Sequence, residues 1–472
     1  MSNELVDLLA LVDNSVKVDH GKLIISNEEN LQTKIHRWVE VSTLETGLRQ
    51  GWARYLVRLA AQELGIHPAS IHDLYRARGS EDVLPTFSIP AINLRVLSYD
   101  AARAAFHAAM PLNSSAIIFE IARSEIGYTS QRPVEFSTNI LAAAIAEKYR
   151  GPVFIQGDHF QVSAKRYAND PLAELSTIKD LILEAIKAGF YNIDIDTSTL
   201  VDISQADISK QQKLNVELSV YFSKFIRENQ PEGVTISIGG EIGEVGGRNS
   251  TVEDLTAYLK GYNDSMAVQS PGSPGLSKIS IQTGTSHGGV VLPDGTIAKV
   301  MVDFDTLRNL SRVSRAEYGL GGTVQHGAST LPEDAFGKFV EYEAVEVHLA
   351  TNFMNMFYEH APNALREKIY SYLDKNYETE RKSDMTDEQF YYKTRKNAIG
   401  PFKEEIFNLP LEFHEEMQSA WKEKFEVLFK LLCIEGTKNL VDKYIPPVTV
   451  LPRIEDFLGS DYQKEDVSDL AD

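Results

Sequence analysis

The sequence VFIQGDHFQ, at residues 153–161, places His159 at the carboxyl end of a short apolar run. The same arrangement recurs twice, in ISIQTGTSHGGV, which contains His287, and in GGTVQHGAST, which contains His326. The carboxyl ends of successive parallel strands converge at one end of a barrel, where three neutral imidazoles can hold a divalent metal ion. The three runs therefore predict a metal site built on parallel strands.

Short β-rich runs alternate with helical segments through the middle of the chain. The eight candidate strands are Phe87 to Leu94, Ala116 to Glu120, Val153 to Gln156, Asn192 to Ile195, Val234 to Ile238, Lys278 to Gln282, Gly322 to Gln325 and Ala344 to Leu349. Eight strands with helices between them predict an α/β fold, the (β/α)8 or TIM barrel.

The chain is longer than one barrel and divides into three parts. We predict a helical extension at residues 1–82, a catalytic barrel at residues 83–360, and a helical extension with an acidic tail at residues 361–472. One apolar helical face in the last part is formed by Met417, Trp421, Phe425, Leu428, Phe429 and Leu432. A face of this kind packs on a core or on a partner subunit, and we expect a homo-oligomer.

Composition excludes several classes of partner. A net charge of -20, from 47 basic and 67 acidic residues, argues against general affinity for nucleic acid or anionic membranes. The single cysteine, Cys433, excludes an internal disulfide, and no apolar stretch reaches the roughly 18 residues of a spanning helix. The start of the chain is acidic, whereas a signal peptide begins with a basic region. We therefore expect a cytoplasmic protein that acts on a small molecule.

Carboxylates stand beside the predicted metal ligands. Glu241, in ISIGGEIGEVGG, adds an oxygen donor, and such a set suits zinc, although manganese, iron or cobalt could take the same ligands. Asp158 precedes His159 and is a candidate general acid/base, the alternative being a residue that orients a ligand. Asp196, in IDIDTST, is a candidate for binding a substrate hydroxyl or a second cation, or for capping a turn.

Small residues surround the histidines. Gly288, Gly289 and Gly327 would let backbone amides approach an anion closely, and Ser329 adds a hydroxyl in the same turn. Thr351, at the end of the eighth candidate strand, could complete this group. Because the late loops of a barrel often bind phosphate, these residues predict a phosphate site.

Seven motifs carry a resemblance to a known family. In chain order they are PAINLRVLSYDAARAAFHAA, GDH, IDTST, EIGEVGG, TGTSHGG, QHGASTLPED and EVHLAT. From about Pro90 to Asn352 the chain resembles the class II, metal-dependent fructose-bisphosphate and tagatose-bisphosphate aldolases. The resemblance implies a (β/α)8 barrel that reversibly cleaves a ketose bisphosphate to dihydroxyacetone phosphate and an aldehyde.

The resemblance also implies roles for individual residues. The metal ligands would be His159, His287 and His326, with Glu241 able to join them. Asp158 would exchange a proton with the hydroxyl on carbon 4 of the sugar. The phosphate would be held by Gly288, Gly327, Ser329 and Thr351.

The sequence departs from the family at several positions. After Glu241 the loop reads EVGGRNS, with Arg248 and Asn249 where many members have acids, so the residue that shuttles the carbon-bound proton is unassigned and Glu244 is one candidate. His348 stands where the family usually has Asn, and it could hydrogen-bond the substrate or reshape the pocket.

A further departure concerns the end of the second candidate strand. Ala122 stands where a substrate-contacting Ser is common in the family. Arg123, beside it, is a candidate for binding the distal anionic group of the substrate, the alternative being a surface salt bridge.

Two other functions stay open. The enlarged chain also resembles the accessory subunits related to tagatose-bisphosphate aldolases, which are thought not to catalyse by themselves, although the three retained histidines argue against that reading. Metal-dependent hydrolysis or isomerisation on the same barrel is the second alternative.

Overall fold

The computed structural model describes residues 3–19, 22–243, 248–284, 302–328 and 331–457. Its strands are β1 (Val16–Asp19), β2 (Lys22–Ile25), β3 (Ile66–Ala69), β4 (Ile89–Asn93), β5 (Ile118–Ala122), β6 (Gly151–Gln161), β7 (Asn192–Asp196), β8 (Ser237–Glu241), β9 (Lys278–Ser280), β10 (Thr323–Gln325) and β11 (Glu346–Leu349).

The strands β4 to β11 form a closed parallel barrel. Each pairs with the next along the chain, and β11 pairs with β4 to close the ring. The closing register places His348 opposite Ala91 and Leu349 opposite Ile92. The predicted (β/α)8 barrel is confirmed.

The helices fall into three groups along the chain. Before the barrel lie α1 (Asn3–Leu11), α2 (Glu28–Lys34), α3 (His36–Leu44), α4 (Leu48–Glu63) and α5 (His72–Gly79). Between and after the barrel strands lie α6 (Ser98–Ala109), α7 (Arg123–Thr129), α8 (Pro133–Ala146), α9 (Ala164–Asn169), α10 (Pro171–Ala188), α11 (Ile208–Gln211), α12 (Lys213–Asn229), α13 (Val252–Gln269), α14 (Phe304–Tyr318), α15 (Phe336–Glu341) and α16 (Thr351–His360). The last group is α17 (Asn363–Tyr377), α18 (Asp387–Thr394), α19 (Lys403–Phe407), α20 (Leu411–Leu431) and α21 (Lys438–Tyr444).

Helix α10 shows how the sequence specifies a connection between strands. The side chain of Asp170 accepts a hydrogen bond from the Ala173 amide, and Pro171 occupies the first turn, where its missing N–H costs nothing. The buried face includes Ile178, Leu181, Ile182, Ala185 and Ile186. Gly189 ends the helix in the left-handed conformation at φ 95°, which glycine adopts without strain.

The amino-terminal extension contains strands as well as the predicted helices. β1 and β2 form an antiparallel hairpin. β3 pairs in parallel with the start of β6, from Gly151 to Phe154, and so lies outside the closed ring as a ninth strand of its sheet. The extension is therefore attached to the barrel through backbone hydrogen bonds as well as through side chains.

The carboxy-terminal helix α20 packs on the barrel's own helices. It lies against α6 and α16, and its Trp421 is fully buried. The rings of Phe425 and Phe353 are 4.9 Å apart, and His414 Nδ1 lies 2.9 Å from Asp100 Oδ2. The apolar face that led us to expect a homo-oligomer is thus covered within the same chain. None of the described helices combines the length and apolar character needed to cross a lipid bilayer.

Replacing Trp421 with Ala should reduce the free energy of unfolding by about 3–5 kcal/mol, because it removes a large buried side chain and leaves a cavity. Urea denaturation measures the change. Leu411→Ala on the same helix is the control, since Leu411 is 68% exposed and its loss should change little. Equal stability of the two variants would contradict the packing of α20 on the barrel.

Candidate active site

Polar side chains fill the barrel interior in two layers. Residues two apart on a strand point to the same side of a sheet. Three strands supply such pairs: Gln156 and Asp158 on β6, Asp194 and Asp196 on β7, and Glu346 and His348 on β11. All six side chains are buried. The second member of each pair lies nearer the carboxyl end of its strand, where barrel active sites are found.

An irregularity in β6 brings both Asp158 and His159 into the site. In a regular strand two consecutive side chains would point to opposite sides. The pairing of β6 with β7 shifts between Gly157 and Phe160, and His159 takes a left-handed conformation at φ 40°. A Cβ on Gly157 would lie 2.4 Å from the Phe160 ring, so any larger residue there would have to displace that buried ring. The motif GDHF therefore places a carboxylate and an imidazole side by side.

Three donors from separate strand ends come together. The ligand atoms of His159, Glu241 and His326 all lie within 4.8 Å of one another. The two imidazole centroids are 4.4 Å apart, and His326 Nδ1 lies 3.9 Å from Glu241 Oε2. Two imidazoles and one carboxylate are ligands that suit zinc and related divalent ions. The donor set therefore fits a metal.

Several predicted residues lie outside the described residues. They are Glu244, His287, Gly288, Gly289 and Ser329. Their roles in binding the metal, the phosphate or the carbon-bound proton stay predictions.

Asp196 orients His159. Its Oδ2 lies 3.1 Å from His159 Nδ1 and accepts a 2.7 Å hydrogen bond from Gln161, while Oδ1 accepts one from the Ser198 amide. Burial would raise the pKa of Asp196, but the hydrogen bond and charge of His159 outweigh it and lower the pKa to about 2. In the neutral form of His159, which is the form that binds a metal, a carboxylate on Nδ1 fixes the tautomer that presents Nε2 to the ion. Of the roles predicted for Asp196, the structure shows the capping of a turn, through the hydrogen bond from the Ser198 amide. The contact between Asp196 and His159 was not predicted.

Asp158 lies among three imidazoles. Its Oδ1 is 3.4 Å from His348 Nδ1, 3.5 Å from His326 Nε2 and 3.8 Å from His159 Nε2. Burial would raise the pKa of Asp158, but the charges of His159 and His348 hold it well below its usual value. The side chain is therefore a carboxylate, the form that accepts a proton.

His348 is held between carboxylates. Its Nε2 lies 2.6 Å from Glu346 Oε1, and its Nδ1 lies 3.2 Å from Glu120 Oε1. Burial would lower the pKa of His348, but Glu120 and Asp158 raise it well above its usual value. The ring centroid is 4.1 Å from that of His326. His348 therefore lies directly against the candidate acid/base and one candidate ligand.

A buried lysine below the site was not predicted. Lys278 Nζ lies 2.5 Å from Glu346 Oε1, 2.8 Å from Asp194 Oδ2 and 2.7 Å from Gln156 Oε1. The Tyr75 hydroxyl also donates to Glu346. The available signal was the occurrence of charged residues inside apolar strand segments, as in SKISI and AVEVHLA, because barrel strands are otherwise buried and apolar.

Arg123 has a different environment from the two that we considered. It is 1% exposed, and its Nη1 lies 2.6 Å from both Glu174 Oε1 and the Gln161 carbonyl oxygen. In place of the surface salt bridge that was the alternative for Arg123, the structure has a buried ion pair, since a guanidinium removed from water needs a carboxylate partner. In the structure the guanidinium of Arg123 therefore binds Glu174, and its contact with the distal anionic group of a substrate stays a prediction.

The described part of the predicted phosphate site lies after the last two barrel strands. Gly327 follows β10 and has φ 68°. Thr351 is buried at the first position of α16, directly after β11. An amino-terminal helix end after the eighth barrel strand is a suitable place for an anion.

The chain matches a known protein family over most of its length. Residues 85–428 match the family described as fructose-bisphosphate aldolase class-II. The matched range includes the barrel strands and most of α20. Among solved structures, the chain is similar to a fructose-bisphosphate aldolase from Campylobacter jejuni, with 17% identity, a TM-score of 0.47, and coverage of 79% of this chain and 97% of that one. It is similar to a putative fructose-1,6-biphosphate aldolase from Coccidioides immitis, with 17% identity, a TM-score of 0.47, and coverage of 78% and 97%. It is also similar to a probable tagatose 6 phosphate kinase from Sinorhizobium meliloti, with 14% identity, a TM-score of 0.49, and coverage of 76% and 99%. On the sequence match over most of its length, the chain belongs to the class-II fructose-bisphosphate aldolase family.

Proposed function

We propose that the protein is a metal-dependent aldolase that reversibly cleaves a ketose bisphosphate to dihydroxyacetone phosphate and an aldehyde. The observation that carries this proposal is the meeting of His159, Glu241 and His326 beside Asp158 at the carboxyl end of the barrel. Family membership supports aldolase chemistry, and the donor set supports the metal.

His159, His326 and Glu241 would hold the ion, with His287 as a further predicted ligand. Zinc suits these donors, and manganese, iron or cobalt could take the same ligands. A bound divalent ion supplies a Lewis acid for the negative charge that develops on the substrate when the carbon–carbon bond breaks. Asp196 keeps His159 in the tautomer and orientation that ligation needs.

Asp158 is the proposed general acid/base. In the cleavage direction its carboxylate accepts the proton of the hydroxyl on carbon 4, and in condensation it returns that proton. Its Oδ1 lies 3.4 Å from His348 Nδ1 and 3.5 Å from His326 Nε2, so the carboxylate would be held beside the metal ligands. His348, whose Nδ1 lies 3.4 Å from Asp158 Oδ1, would hydrogen-bond the same part of the substrate.

We propose that the phosphate of the dihydroxyacetone phosphate half lies at the loops after β10 and β11. Gly327 and the amino-terminal end of α16 at Thr351 line this end of the barrel. Gly288 and Ser329 are the predicted contributors from the remaining loops. Backbone amides at such a position bind an anion without a charged side chain.

A coupled assay for triose-phosphate release tests the proposed function. Fructose 1,6-bisphosphate and tagatose 1,6-bisphosphate are each supplied before chelation, after chelation and after zinc is restored. We expect cleavage of at least one sugar, loss of cleavage after chelation, and recovery with zinc. Metal-loaded protein that releases no triose phosphate from either sugar would overturn the proposal and favour the accessory-subunit or hydrolase alternatives.

Asp158→Asn should lower kcat by about 10²- to 10⁴-fold, because the amide has the same shape but cannot accept the proton. Metal content, measured by elemental analysis, should be unchanged. Asp264→Asn is the control, since that side chain is 66% exposed on α13. Full turnover in Asp158→Asn would remove Asp158 from the mechanism.

A further inference from the structure

A cavity lies at the opposite end of the barrel from the candidate active site. It has a volume of about 460 Å³ and is bounded by α4, by β3 and the start of β6, and by residues 442–450 near the end of the chain. Because β3 pairs with Gly151, the first residue of β6, this is the amino-terminal end of the barrel strands. We call it the base cavity.

The base cavity contains a buried arginine with no carboxylate partner among the described residues. Arg58 is 7% exposed, interacts with the Tyr191 hydroxyl, and has a buried Nη1 for which the described chain supplies no hydrogen-bond acceptor. Removing a cation from water without a counter-charge costs several kcal/mol. The position is therefore one where a bound anion would be strongly favoured.

Three other buried arginines in the described part of the chain each lie against a carboxylate. Arg95 lies 2.6 Å from Glu125, Arg123 lies 2.6 Å from Glu174, and Arg54 lies 3.4 Å from Glu135. Arg78, like Arg58, has no carboxylate partner among the described residues, but its Nη1 and Nη2 donate to the carbonyl oxygens of Phe87 and Ala344 at 2.6 and 2.9 Å. Arg58 thus departs from the pattern that this protein uses elsewhere.

A second unpartnered buried nitrogen belongs to a residue that lines the same cavity. His67, on β3, lines the base cavity, and its buried Nε2 has no hydrogen-bond partner in the part of the chain that the structure describes. Burial lowers the pKa of His67, and the Arg58 charge lowers it further, so the two groups are within electrostatic reach of each other. The other ring nitrogen of His67 hydrogen-bonds the Gly65 backbone, so Nε2 of the neutral ring is an acceptor for a protonated ligand oxygen, such as the hydroxyl of hydrogen phosphate.

The rest of the lining is largely apolar. Pro68 and Pro152 form one wall, and Ile445, Pro447 and Val448 form the cover. The carboxylate on the lining, Asp442, is half exposed and lies 2.6 Å from Lys438, so it does not neutralise Arg58. A mostly apolar cavity with two convergent polar groups is typical of a small-molecule site.

We propose that the base cavity binds a small organic oxyanion, a carboxylate or a phosphate with an apolar body, through Arg58 and His67. The site is separate from the proposed aldolase site, and the inference does not depend on that function. It is formed by the two segments that flank the barrel: α4 and β3 come before it, and residues 442–450 come after it. These additions would then give the enzyme a ligand site that the barrel alone lacks.

The probes are succinate and inorganic phosphate, titrated calorimetrically into the full-length protein. We expect one of them to bind with one-to-one stoichiometry, and Arg58→Met to weaken that binding at least tenfold. The choice of probe separates a carboxylate ligand from a phosphate ligand. Arg49→Met is the matched control, since Arg49 lies on the same helix but is paired with Glu45 at the surface, and it should bind as the wild type does.

Two further measurements guard against a purely structural role for Arg58. The melting temperature of Arg58→Met in anion-free buffer should equal or exceed that of the wild type, because the substitution removes an uncompensated buried charge. Val448→Trp should also abolish binding, because it fills the cavity and leaves Arg58 in place.

Three results would overturn the proposal. The first is no binding of either probe to the wild type, and the second is equal binding to Arg58→Met. The third is a crystal structure in which an acidic side chain of residues 458–472 lies against Arg58, since the cavity would then hold an internal ion pair.

Discussion

The buried ion cluster around Lys278 is the interaction on which the candidate site depends. Lys278 contacts Asp194 and Glu346 inside the barrel, where each unpaired ion would cost several kcal/mol. Glu346 in turn contacts His348, and His348 lies 3.4 Å from Asp158. The chain of contacts therefore runs from the barrel core to the proposed acid/base, and it leaves His348 little freedom to rotate.

The second constraint is the irregular pairing of β6. Without the register shift between Gly157 and Phe160, Asp158 and His159 would point to opposite sides of the strand. With it, Asp158 and His159 both lie beside His326, at the same end of the barrel. The close packing of Gly157 against Phe160 fixes this shape through a local steric requirement.

The barrel and the meeting of its strand ends could be predicted from the sequence, because apolar runs that end in Gly, Asp and His recur with helices between them. Other features could not. The partners of Lys278 lie on different strands, and no periodicity indicates which charged residues meet across a barrel. The four residues of β3 include a proline and lie between helical segments, so they gave no strand pattern. Arg123 turns inward because Glu174 is buried beside it, a contact between residues 51 positions apart.

The central claim is that His159, Glu241 and His326 hold a metal ion. It is tested most directly by diffraction data collected at the zinc absorption edge, from crystals of the full-length protein grown with zinc. We expect one strong anomalous peak about 2.0–2.1 Å from nitrogen atoms of His159 and His326, with Glu241 close by. The neighbouring group of Glu120, Glu346 and His348 is the internal comparison, since its donor atoms also lie within 4.8 Å of one another. A peak at that group, or no peak at His159 and His326, would contradict the proposed metal centre.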